Sequence, residues 1–157
     1  MFHEAMTAAK SQPWVTRLVI VACGGIWLSL VLLNDYENWQ TVATFGYLPP
    51  NDIWRGKLWG LITSSLVHFD LWHLWLNVSA TWILGSRMEA AIGSGRYFLF
   101  LMMAAFISAT FELAASDSTG IGFSGVGYAI FGFMWITKDR FDNFQDVMTS
   151  QNIQLFL

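Results

Sequence analysis

Four polar side chains in this sequence stand where an apolar chain has no structural use for them. Ser124 opens an apolar run inside Gly122-Phe123-Ser124-Gly125, while His73 and Asn77 lie within the apolar residues 71–84 and His68 stands just ahead of them. His73 and Asn77 are four residues apart, so on a helix they share one face. A serine at the start of a helix has a definite chemistry open to it. The helix N-terminus presents unpaired N–H groups and the positive end of the dipole. Ser124 there can attack a carbonyl while its own N–H holds the developing oxyanion, and His73 and Asn77 can donate to the same oxygen. Such donors are worth a few kcal/mol each in comparable enzymes. Gly122 and Gly125 remove side chains where backbone and substrate have to approach closely.

Taken singly, each feature has a plainer reading. Gly-x-Ser-Gly resembles the small-residue surfaces through which membrane helices pack, and His73 with Asn77 resembles polar glue between helices. Glu89 reads as a partner for the turn before Gly93-Ser94-Gly95, and His3 as a tail residue. Depth argues for the conjunction. Fourteen residues separate His73 from Arg87, and fourteen separate Ser124 from Lys138. At about 1.5 Å per residue, both groups lie roughly 21 Å from a boundary marked by those basic residues. In a hydrocarbon core about 30 Å thick, that is one shared stratum near the far surface. Spans two and four are therefore expected to pack as neighbours, with Gly125 or Gly127 permitting the approach. Residues 118–123 must enter the membrane as irregular backbone, which is tolerated only beside protein or a water-filled cavity.

The elements that position these residues follow from composition. The chain has 157 residues, of which 55% are hydrophobic and only 12% charged, against about 25% charged in soluble domains. That balance points to an all-α, polytopic membrane bundle. Four spans are expected, at Trp14–Leu33, 71–84, 97–115 and 122–137, with a possible upstream extension of the second through 58–67. The first reads as an uncleaved anchor, because no small-x-small site follows it. The loop of 34–57, rich in Trp and Pro, is too apolar for a plain linker and reads as lying in the membrane interface. Lys10 and Arg17, Arg87 and Arg96, and Lys138 and Arg140 fall on one side, which makes the N-terminus cytoplasmic; Arg55 and Lys57 are the exceptions. The organisation is a cytoplasmic tail (1–13), a transmembrane domain (14–140), and a polar linker leading to the start of a further span (141–157). Net charge is −3 without a basic block, which excludes a nucleic-acid partner on electrostatic grounds. The lone Cys23 excludes an internal disulfide. A channel or transporter would carry more ionisable groups in its spans than His73 and Glu112.

These residues resemble the rhomboid intramembrane proteases. His68, His73 and Asn77 match the His-x4-His-x3-Asn signature of that family's second span, and Gly122-Phe123-Ser124-Gly125 matches the Gly-x-Ser-Gly that opens its fourth. Trp54-Arg55 is similar to the Trp-Arg pair of the first outer loop. Glu89, with Gly93-Ser94-Gly95 and Arg96, resembles the loop between spans two and three. Tyr128 stands where the family places an aromatic ring against its catalytic histidine, and Gly132 where another helix packs. The resemblance covers residues 45–140. It implies a six-span bundle, four spans of which are present here, that cleaves transmembrane protein substrates near their outer ends. The reaction would use a Ser-His dyad with no metal or cofactor. Ser124 would be the nucleophile and His73 and Asn77 the oxyanion site, with His68 in a supporting role.

The departure is the base. In the family it is a histidine of the sixth span, and no histidine follows His73 here. The expectation is therefore a protease portion that is inactive by itself. The alternative is a non-catalytic homologue that binds transmembrane clients, although such a protein has no need of Ser124 and its flanking glycines.

Overall fold

The computed structural model describes residues 12–35 and 38–156. Residues 1–11 of the expected tail, His3 and Lys10 among them, and Leu157 lie outside the described residues. The regular elements of the described residues are all helical, with no strand among them.

Helix α1 (Trp14–Leu33) begins after Pro13 and ends at Asn34, whose left-handed backbone (φ 49°) returns its N–H to Leu30. Asn tolerates that conformation better than most residues. Pro13 offers no side-chain cap, so the first N–H groups of α1 need partners from elsewhere. Glu89 supplies them. Its fully buried carboxylate accepts from the backbone N–H of Val15 (3.0 Å) and Thr16 (2.8 Å), from Thr16 Oγ1 (2.8 Å) and from Ser94 Oγ (2.6 Å). Glu89 thus does more than hold its own turn: it pins the start of α1 to the junction of two later helices.

After α1, residues 38–66 fold into α2 (Trp39–Thr44), α3 (Pro50–Trp54), α4 (Gly60–Thr63) and a single 3₁₀ turn, Ser64–Leu66. Leu48, Ile53 and Leu61 pack on Ala109 and Leu113, and Val42, Tyr47 and Val67 pack on Leu30. The loop is a folded platform against two long helices, with Trp54 and Trp59 exposed on it. The second span does not extend upstream through 58–67, because extended backbone at Val67 separates α4 and its 3₁₀ turn from the next helix.

That helix, α5 (Leu71–Ala80), passes through a π turn at Thr81–Gly85 into α6 (Ser86–Ile92). Gly93, at φ 85°, breaks it from α7 (Ser94–Ser116), in a conformation that costs glycine little. After α7, residues 117–123 are non-helical, and α8 (Ser124–Thr137) starts at Ser124. Among the described residues two helices, Trp14–Leu33 and Ser94–Ser116, are long and apolar enough to cross a membrane, while α8 is a shorter apolar helix.

The main core lies between α7, α8 and the α5–α6 helix around Tyr97, Leu101, Val126, Ile130 and Met134. The stretch expected as a polar linker departs from that reading. Phe144, on α9 (Asp142–Gln145), Val147 and Met148 are buried in the same core, and Arg87 Nη2 pairs with Asp146 at 3.0 Å. Helix α10 (Ser150–Phe156) follows.

Candidate active site

Two local sequence features aim the site. On α5, Asp70 is the N-cap, and its carboxylate accepts from the backbone N–H of His73 at 2.9 Å. Asp is among the preferred capping residues, and one such bond is worth about 1 kcal/mol. The cap places His73 in the first turn and Asn77 one turn on. On α8, Gly122 sits at φ 89° two residues before the helix begins. A Cβ at Gly122 would collide with His73 Cε1 and lie 2.8 Å from His73 Nε2. The imidazole of His73 therefore rests on the Gly122 backbone. Ser124 is two residues away, within roughly 7 Å along the chain.

His68 joins the two halves from behind. It is fully buried, and its Nδ1 lies 3.1 Å from the Leu66 carbonyl, an acceptor. The proton is therefore assigned to Nδ1, which leaves Nε2 to accept. Nε2 receives Asn77 Nδ2 (3.1 Å) and the backbone N–H of Phe123 (3.3 Å). One ring ties the inner face of α5 to the residue that precedes Ser124. A second backbone bond, from Gly122 N–H to the Ser64 carbonyl at 3.4 Å, holds the same strand of chain. With Nε2 occupied twice, His68 has no acceptor left for a serine proton. Asn77 is buried, with one N–H committed to His68 and the other still to be given.

Ser124 itself is exposed and faces a cavity of about 160 Å³. Ser64, Ser108, Glu112, Gly122 and Gly125 line it, and Tyr128, one turn below Ser124, forms its lip. No hydrogen bond joins Ser124 to His73 among the described residues. Gly125 faces α7 and not α5: a Cβ there would collide with Ser108 Oγ. Gly127 has open space around its Cα. The expected approach of the second and fourth helical segments is thus made at Gly122, while Gly125 serves the contact between α7 and α8. The His73 end of that contact falls on the irregular backbone before α8, where a ring can press on bare main chain, and α8 itself packs further down on the Thr81–Gly85 turn.

The structure brings together Ser124, His73, Asn77, Gly122 and His68, with Tyr128 at the edge. Sequence reasoning missed Asp70, Ser64 and Ser108. Asp70 was legible as an Asp directly ahead of an apolar helical run, three residues before His73. Ser108 and Glu112, four apart on α7, were legible as one polar stripe.

Comparison with known proteins gives a family match. The Rhomboid domain family matches residues 55–157. The chain is similar to the rhomboid protease GlpG of Salmonella choleraesuis (strain SC-B67), at 29% identity over 126 residues, 80% of this chain and 44% of the relative. The rhomboid proteases GlpG of Salmonella paratyphi A and Salmonella typhi match at the same 29% over 126 residues, with the same 80% and 44% coverage. The chain thus spans under half the length of these curated relatives. With the family match extending over well over half the sequence, from the Trp-Arg loop through the Ser124 helix, this chain belongs to the Rhomboid family.

Proposed function

We propose that this chain is the nucleophile-bearing portion of a serine-type intramembrane endopeptidase that cleaves transmembrane proteins near their outer ends. The observation that carries the proposal is Ser124 at the first position of α8, exposed to a polar cavity, with His73 seated on Gly122 beside it. In this reading Ser124 Oγ attacks the scissile carbonyl. The carbonyl oxygen, as it becomes negative, receives N–H groups at the start of α8, the His73 ring and the second N–H of Asn77. These donors are fixed before the substrate arrives, which is the condition under which they contribute most. The cavity supplies the water that lipid lacks.

The chain crosses the membrane four times, with its N-terminus cytoplasmic, and lipid surrounds the exposed faces of α1 and α7. Leu18, Val21, Leu32, Leu99 and Phe111, all exposed apolar side chains, support that arrangement. The base comes from outside the residues described here. His68 is fully engaged, and His73 serves as a donor. The 157-residue polypeptide alone is then inactive.

The test is to join the chain to the fifth and sixth spans of a rhomboid relative and assay cleavage of a transmembrane reporter in liposomes. The joined protein cleaves, its Ser124→Ala variant does not, and the 157-residue chain alone does not. Cleavage that survives Ser124→Ala would overturn the assignment.

A further inference from the structure

The π turn at Thr81–Gly85 passes α1 and α7 at a buried polar contact that lies away from the cavity. Gly85 is buried, and a Cβ on it would collide with Tyr97 Oη and lie 3.3 Å from Tyr97 Cζ and 3.5 Å from Thr16 Oγ1. Tyr97, on α7, is fully buried, as is Thr16 on α1. Thr16 is held in turn by Glu89, through its backbone N–H and its hydroxyl, each at 2.8 Å. The tyrosine hydroxyl stands where the last residue of the turn would otherwise carry a side chain. Two carbonyls inside the turn take side-chain donors as well: Trp82 from Ser86 Oγ, and Ile83 from Arg87 Nη1 at 2.8 Å.

This turn decides which way the site residues face. Asn77 and Glu89 are twelve residues apart, which on an uninterrupted α-helix sets them about 120° apart around the axis. A π turn includes one extra residue in its i→i+5 bond and so takes back about 100° of rotation. The two side chains are left about 20° apart, and both are buried. Glu89 is fixed by four hydrogen bonds to α1 and α7, whereas Asn77 reaches His68 by one. With Glu89 anchored, loss of the extra residue turns α5 and swings His73 and Asn77 away from Gly122 and His68.

We infer that Tyr97 is a positioning residue for the oxyanion donors: its hydroxyl, seated on Gly85 beside Thr16, holds the π turn that faces His73 and Asn77 toward the chain ahead of Ser124. The inference rests on the reading of Ser124 as nucleophile and adds the contact that sets the register of its partners.

The test reads the facing of α5 first and its effect on rate second. In the full chain, Leu76→Cys on α5 and Leu99→Cys on α7, both at exposed positions, carry spin labels. The chain with buried Cys23 as its only cysteine gives the background. Gly85→Ala drives a methyl into Tyr97 Oη and is expected to shift the distance between labels by several ångströms. The limit is about 8 Å, for a turn of about 100° at a helix radius of about 5 Å. Tyr97→Phe empties the place of the hydroxyl and also shifts the distance. The double variant puts the methyl where the hydroxyl stood and restores it. In the joined enzyme, kcat of Gly85→Ala is expected to fall about a hundredfold with KM changed by less than about twofold, because these donors act in the transition state. The double variant regains at least about tenfold of that loss. Circular dichroism confirms that each variant keeps its helices. Unchanged distances in both single variants overturn the inference, as does a shift that leaves kcat intact or a double variant that restores neither. If the joined enzyme cleaves through Ser124 while the distances never move, the register fails and the nucleophile reading stands. If the distances behave as expected while the joined enzyme with Gly85 and Tyr97 intact cleaves nothing, the nucleophile reading fails and the register stands.

Discussion

At the residue scale, the account turns on how little room surrounds Gly122. Its φ of 89° is one that side chains rarely adopt, and the His73 ring occupies the place of a Cβ. Gly122→Ala therefore carries a backbone cost and a steric one, together on the order of 2 kcal/mol. It also moves His73 away from the oxyanion position proposed for it. In the joined enzyme, cleavage is expected to fall by about a hundredfold, the scale of losing one oxyanion donor, while helix content by circular dichroism is unchanged. Gly127→Ala, with open space around it, is the control and should cleave normally. Full activity in Gly122→Ala would mean that His73 does not act where it rests. The closeness of His73 to the chain just ahead of Ser124 was legible in the sequence, because the equal spacings from His73 to Arg87 and from Ser124 to Lys138 suggest one level. The part played by His68 was not. Its bond to Phe123 crosses 55 positions of sequence, and no local pattern encodes which distant N–H a buried imidazole will accept.

At the element scale, the helices are held by polar contacts made between elements. The first turn of α1 has no cap of its own and depends on Glu89, 73 residues away. Glu89→Ala leaves two backbone N–H groups and two hydroxyls without their acceptor, each buried group costing about 1–3 kcal/mol. It is expected to lower the thermal unfolding midpoint in detergent and to expose the start of α1 to protease, with Glu89→Gln intermediate. An unchanged midpoint in Glu89→Ala would show that α1 is anchored by apolar packing alone. Here too the sequence went part of the way. The long apolar runs of α1 and α7 declared themselves, and so did the start of α8 at Ser124. The π turn at Thr81–Gly85 has no sequence signature, and it lets α5 run on into α6. The burial of Phe144, Val147 and Met148 was hidden by the polar residues around them, although their spacing of three and four is that of one helical face.

At the scale of the whole molecule, the orientation proposed from the basic residues Arg17, Arg87, Arg96, Lys138 and Arg140 can be tested by labelling. Cysteines introduced one at a time into the 157-residue chain, at residue 45 and at residue 138, should be labelled from opposite sides of the membrane. Residue 45 should be reached from the outer face. Labelling of residue 45 from the cytoplasm alone would reverse the topology and remove the cytoplasmic N-terminus. The central claim is more specific: Ser124 is a nucleophile whose activation needs a base that these residues do not contain. A fluorescent phosphonate that forms a covalent bond only with an activated serine tests it most directly, with the modified peptide identified by mass spectrometry. The account predicts an adduct on Ser124 in the chain joined to a relative's fifth and sixth spans, and none on the 157-residue chain at neutral pH. An adduct on Ser124 in the 157-residue chain alone would contradict it, because a base would then lie among the residues already in hand.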